Sequence, residues 1–160
     1  MQQVATEAVE NRKKIIFSKA EVLLKAGEGA RGKAMLRSLG EDFGHESGVL
    51  TTIGSLLMEC GFAFDAIVFF EEAIEAFPRD PASYGPLAAC YTEFQEFEKG
   101  ERLYLNAIRE FGTHPRTMIN LAKLYIAWNK RYKAFVLLSQ VLQKDPDNEE
   151  AKEIFILVDR

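Results

Sequence analysis

Residues 47–80, SGVLTTIGSLLMECGFAFDAIVFFEEAIEAFPRD, decide how the chain is read. Leu50, Ile53, Gly54 and Leu57 fall at i, i+3, i+4 and i+7, the spacing that lines one face of an α-helix. Ala66, Phe70 and Ala73 form a second stripe, Gly61 stands between the two, and Pro78 closes the stretch. Glycine accepts the backbone conformation that ends a helix, and proline cannot continue one. The stretch therefore predicts two amphipathic helices joined by a tight turn.

The same unit returns every 34 residues without an insertion. With Ser47 as position 1, neighbouring units start at Lys13, Pro81 and Pro115, and a partial unit starts at Glu149. Position 8 is Ala20, Gly54, Ala88 and Ala122; position 20 is Gly32, Ala66, Gly100 and Ala134. All eight are small, and two helices approach closely only where facing side chains are short. Large residues surround these notches. Position 4 carries Ile16, Leu50, Tyr84 and Met118, position 11 Leu23, Leu57, Tyr91 and Tyr125, and position 24 Leu36, Phe70, Tyr104 and Leu138. The turn at position 15 carries Gly27, Gly61, Gln95 and Asn129. Glycine and asparagine tolerate a left-handed backbone there, glutamine less well.

This pattern resembles the tetratricopeptide repeat (TPR), a 34-residue helix–turn–helix with the signature W-x2-L-G-x2-Y, A-x3-F and a closing proline. Leu50, Ile53, Gly54, Leu57, Ala66, Phe70 and Pro78 fill the seven places in the best unit. The resemblance implies an all-α, right-handed superhelical solenoid of antiparallel helix pairs, formed as a single domain over residues 1–160. Its parts are a degenerate repeat at 13–46, clear repeats at 47–80, 81–114 and 115–148, and a capping helix at 149–160.

The degenerate first unit has Lys19 at an apolar position and Gly44 in place of the proline. A single long helix from about Gln3 to Ala26 is expected, with Val4, Ala8, Ile15, Ile16, Val22 and Leu23 inward. It either caps the array or docks a partner. At the other end, Asp145 or Asp147 is placed to cap a helix starting near Asn148. Ile154 to Val158 are all apolar, so this helix is hydrophobic on more than one face. An imperfect cap, burial between copies and a chain that continues past Arg160 each account for that.

Bulk properties narrow the function. A net charge of −4 over 160 residues lacks the basic footprint of a nucleic-acid binder and gives no attraction to anionic membranes. The longest apolar runs are too short to span a bilayer. MQQVATEAVENRKK has no basic region followed by an apolar core, so it does not read as a secretory signal, and a cytoplasmic protein is expected. Cys60 and Cys90 lie on helix stripes and are expected as small, buried or half-buried side chains, without a CxxC pair.

A catalytic constellation is hard to assemble. His45 and His114 both fall in loops between repeats, and none of HExxH, GxxxxGKS or GxSxG occurs. Gly27 to Gly32 follows a helix rather than a strand and lacks the GK[ST] of a phosphate loop. Glu71, Glu72 and Glu75 read as a solvated face. The chain is expected to be no enzyme and to need no cofactor or metal. Charge is nonetheless segregated, with net +4 over residues 1–40, −10 over 41–112 and +2 over 113–160. Such ends around an acidic middle suit a mixed-charge partner or head-to-tail contacts.

In TPR arrays the first helices of successive units line a concave surface, and the resemblance implies that positions 2, 5, 9 and 12 face it. Those positions are Gly48, Thr51, Ser55 and Met58; Ala82, Gly85, Ala89 and Thr92; and Arg116, Ile119, Lys123 and Ile126. The candidate peptide-binding residues are these apart from Gly48, with Asn120 beside Arg116 and Lys123 added. The first unit adds Lys14, Phe17, Glu21 and Leu24. Short side chains in the middle leave room for a peptide, and Arg116 with Lys123 supply positive charge. The Lys–Asn–Arg carboxylate clamp of one TPR subgroup is not reproduced across the units. Pro86 departs from the pattern near a helix start. Among the turn aromatics, Phe94 and Trp128 are expected in the core, with Phe62 as the surplus one. The function expected is a non-catalytic interaction module binding a protein or peptide segment as an adaptor or chaperone. The alternatives are a self-assembling scaffold that uses its terminal helices, and a small secretion-type chaperone.

Overall fold

The computed structural model describes the backbone of residues 2–158 and the side chains of residues 6–158. Its contacts divide the chain into two compact units, Met1–Pro78 and Arg79–Arg160. Among the described residues every regular element is a helix.

The first unit contains α1 (Gln2–Lys25), α2 (Gly29–Phe43), α3 (Val49–Glu59) and α4 (Ala63–Ala76). The helices pack as the hairpins α1–α2 and α3–α4, with α2 against α3. The second unit opens with a 3-10 turn (Pro81–Ser83). It continues with α5 (Tyr84–Glu93), α6 (Phe97–Phe111), α7 (Pro115–Ala127), α8 (Arg131–Lys144) and α9 (Glu149–Val158). Here the hairpins are α5–α6 and α7–α8, with α9 laid on α7 and α8.

All eight small residues at positions 8 and 20 are buried. A Cβ added to Gly54 would lie 2.7 Å from the Phe70 ring, and one added to Gly32 would lie 2.7 Å from Leu24 Cγ. Position 8 of the first helix and position 24 of the second thus occupy one space, which a larger residue at position 8 would overfill.

The turns inside the hairpins share one geometry. Gly27, Gly61, Gln95 and Asn129 all have positive φ, at 84°, 83°, 61° and 58°. In each turn the following N–H reaches back to the carbonyl five residues earlier: Glu28 to Leu23, Phe62 to Leu57, Glu96 to Tyr91 and Lys130 to Tyr125, at 2.7–2.9 Å. This closure satisfies carbonyls that a helix end would otherwise leave open.

The repeat pattern would start a helix at Pro81, yet α5 begins at Tyr84 after a 3-10 turn. Pro86 offers no N–H to the carbonyl four residues back, so the first turn tightens instead. Asp80 holds that turn by accepting from the Ala82 N–H at 3.0 Å. At α9 the cap is Asn148 rather than either aspartate, since Asn148 Oδ1 accepts from the Ala151 N–H at 3.0 Å.

The face expected for α1 needs correction. Ala8, Ile15 and Val22 are exposed, Ile16 and Leu23 are half-buried, and Val4 lies outside the described side chains. The inward line is instead Lys13, Ala20 and Leu24. Lys13, only 6% exposed, is held by Glu10 and Glu46 and lies 5.5 Å from the Phe43 ring. Hydrogen bonds to those two carboxylates raise its pKa. A cation sits in the first hairpin because two anions meet it there.

Candidate functional site

The candidate residues divide between the two units. In the first, α3 carries Thr51, Ser55 and Met58, all half-buried. Their neighbours Leu50, Ile53, Gly54 and Leu57 are consumed by packing, so the stripe predicted as scaffold is scaffold. On α1, Lys14 is exposed and Phe17 and Glu21 are half-buried. Leu24, expected on the surface, is buried against Gly32.

In the second unit α5 and α7 pack together. Ala82 is exposed, and Gly85, Ala89 and Thr92 are half-buried. Nothing approaches within 4 Å of where a Gly85 Cβ would stand, so this point opens onto free space. The Gly85 carbonyl accepts from Tyr104 Oη at 3.4 Å. Thr92 Oγ1 donates to the Ala88 carbonyl at 2.8 Å, which leaves its oxygen lone pairs, not its proton, for a ligand. On α7, Arg116 is exposed and Asn120 and Ile126 are half-buried. Lys123 is exposed, but its Nζ contacts Glu150 Oε1 of α9 at 2.6 Å.

Ile119 corrects the expected site. It is 2% exposed and belongs to the core cluster that includes Ala151 of α9. The sequence pattern placed it on a surface, but α9 packs on α7 and takes that surface into the core. Phe94, expected in the core, is exposed. Trp128 is half-buried and stacks on Phe97, with ring centroids 5.6 Å apart.

A cleft of ≈ 380 Å³ lies between α2 and α4 and was not foreseen. Leu57 and Phe69 lie among its lining residues, with exposed Phe64 and Val68 at the rim. Lys33 meets Asp65 across it at 3.0 Å, and the Arg37 guanidinium lies 4.7 Å from the Phe69 ring. Its cations are thus already matched by groups of the chain itself.

Shifted titrations in the second unit follow from packing. Burial pushes the Cys90 thiol up to about 11 and the Tyr104 phenol up to about 12. Both stay protonated at neutral pH, which keeps the thiol unreactive. Burial also raises Tyr125, and its hydrogen bond to Glu101 at 2.7 Å raises it further. Burial pushes Glu101 up, but the bonds from Tyr125 and from Lys133, at 3.1 Å, together hold it below the ordinary carboxylate range. This network joins α6, α7 and α8. Among the described residues, no cluster of three or more His, Cys, Asp or Glu is placed to hold a metal ion. No helix among them is long and apolar enough to cross a membrane.

No protein-family model matches the chain, and no curated protein matches it. Solved structures do. The first TPR domain of human RPAP3 aligns with a TM-score of 0.66 at 21% identity, covering 72% of this chain and 91% of that one. The first TPR of Spaghetti (RPAP3), bound to the HSP90 peptide SRMEEVD, aligns at 0.66 with 20% identity over 71% and 90%. The MamA protein aligns at 0.72 with 14% identity, over 91% of this chain and 80% of its own. With its phased small residues, its left-handed turns and these alignments, the chain has the fold of tetratricopeptide-repeat domains.

Proposed function

We propose that the chain is a non-catalytic interaction module that holds a protein segment on the free face of its first helices. The observation that carries this reading is the α5–α7 pair. There Gly85 stands beside open space and half-buried Ala89 presents only a methyl group, while Arg116 and Asn120 of α7 offer hydrogen-bond donors. Short residues admit a peptide backbone and donors fix its direction, which is the division of labour in peptide grooves. Thr51, Ser55 and Met58 of α3 make the equivalent surface of the first unit. The Spaghetti domain, with its bound HSP90 peptide, supports peptide capture as the use of this fold.

The ligand of that domain does not transfer to this chain, because the clamp residues are absent from α3 and α5 and Lys123 is already engaged by Glu150. A role as adaptor or assembly chaperone in the cytoplasm is the reading that fits a module of this size.

Capture from a lysate followed by mass spectrometry identifies the segment, and titration calorimetry measures it. Ala89→Asp and Ser55→Asp should each weaken binding by about tenfold or more, through a buried, unpaired charge. Helicity by circular dichroism should be unchanged. Unaltered affinity in both variants would remove the groove reading.

A further inference from the structure

We propose that this chain associates head to tail with a second copy of itself, the free face of α9 packing on the free face of α1. The repeat frame supplies the first observation. Positions 3, 7 and 10 of a first helix are where it meets the helix before it. Ile53 at position 7 of α3 is fully buried, and its Cδ1 would lie 3.5 Å from a Cβ on Gly40 of α2. Leu121 and Leu124, at positions 7 and 10 of α7, are likewise buried, and Leu124 reaches Gly100 of α6. In α1 the same three positions are Ile15, Lys19 and Val22. Ile15 is 53% exposed, Val22 is 65% exposed, and Lys19 faces solvent between them.

α9 presents the complement. Ala151 is buried, and Phe155 meets Phe135 of α8 with ring centroids 5.0 Å apart. The opposite face carries Ile156 at 54% and Leu157 at 62% exposure, flanked by exposed Glu153 and by the Glu149–Lys152 ion pair.

Charge selects the occupant. At helical spacing Arg12 and Lys19 share the α1 face with Ile15 and Val22, and no acidic residue lies among them. On α9 the flanking charges are Glu149, Lys152 and Glu153; Lys152 is held by Glu149 at 3.0 Å, which leaves the Glu153 carboxylate as the charge that face offers. Among the described residues Glu153 and Lys19 make no ion pair, and Arg12 reaches only Asp42, at 4.0 Å. Two copies of α1 face to face would set cation on cation, and two of α9 carboxylate on carboxylate. Only α9 against α1 pairs apolar with apolar and opposite charges together. Such a heterologous contact uses different patches on the two copies, so it builds rings or open chains. One helix pair is a small interface, and the association should be weak and salt-sensitive.

Sedimentation velocity on the full chain over a wide concentration range tests this. Weight-average mass should rise with concentration and fall back toward the monomer as salt is added. Lys19→Glu alone and Glu153→Lys alone should each weaken association by at least about tenfold. An equimolar mixture of the two variants should recover it, because each charge then meets its opposite. Both substitutions are on exposed positions, and circular dichroism confirms folding. A concentration-independent monomer would overturn the proposal. So would association that neither variant affects, or loss in the variants without recovery in the mixture.

Discussion

Gln95 is the residue at which local preference and repeat geometry disagree most openly. Its φ of 61° is the conformation glycine supplies at the same place in two other turns. A side chain there costs about 1 kcal/mol. Gln95→Gly should therefore raise the urea midpoint by an amount equivalent to about 1 kcal/mol, and Gly61→Ala should lower it by a similar amount. The reverse pressure acts at Gly54. An added methyl would gain about 1 kcal/mol of helix propensity. It would also press the Phe70 ring at 2.7 Å, in a core where overpacking costs about 1–3 kcal/mol. Gly54→Ala should come out destabilised by roughly 1 kcal/mol, and Gly54→Leu by clearly more, both read from denaturant unfolding. These residues were legible in the sequence because each is forced by its own neighbours in the hairpin. Ile119 and Leu24 were not, because their burial depends on what covers the helix. Periodicity within one helix carries no record of α9 lying over Ile119.

At the scale of the element, α6, α7 and α8 are tied by the Glu101 carboxylate. Its folded pKa lies below that of an ordinary glutamate, so its contribution to stability is complete above the ordinary value. The contribution is lost as pH falls through the lowered folded pKa. Glu101→Gln should reduce stability at neutral pH by about 1 kcal/mol and flatten the acid limb of the stability–pH curve, measured by urea unfolding at a series of pH values. The network was invisible in the sequence because its three members lie in different helices of the frame. α9 offers a second test. Phe155 is half-buried against Phe135, and Arg131 Nη2 donates to the Leu157 carbonyl at 3.0 Å. Phe155→Ala should cost roughly 2 kcal/mol, below the 3–5 typical of a full core phenylalanine. It should also expose Ile119, which would register as faster exchange of the α7 amides.

The whole molecule is two compact units joined at Pro78–Arg79. Repeat arrays draw their stability from intrinsic and nearest-neighbour contributions rather than from one shared core. Damage should therefore stay local. Gly54→Ala should lower amide protection in α3 and α4 more than in α7 and α8, and Glu101→Gln should do the opposite, as native-state hydrogen exchange can show.

The contact between Lys123 and Glu150 has a consequence at this scale. An anionic segment that claims Lys123 must first displace a carboxylate belonging to α9, and so loosens that helix from α7. By thermodynamic reciprocity, whatever secures α9 must then lower affinity for such a segment by the same factor. Cargo and self-association would stand in competition, and the length of the assembled chain would report how much cargo is bound.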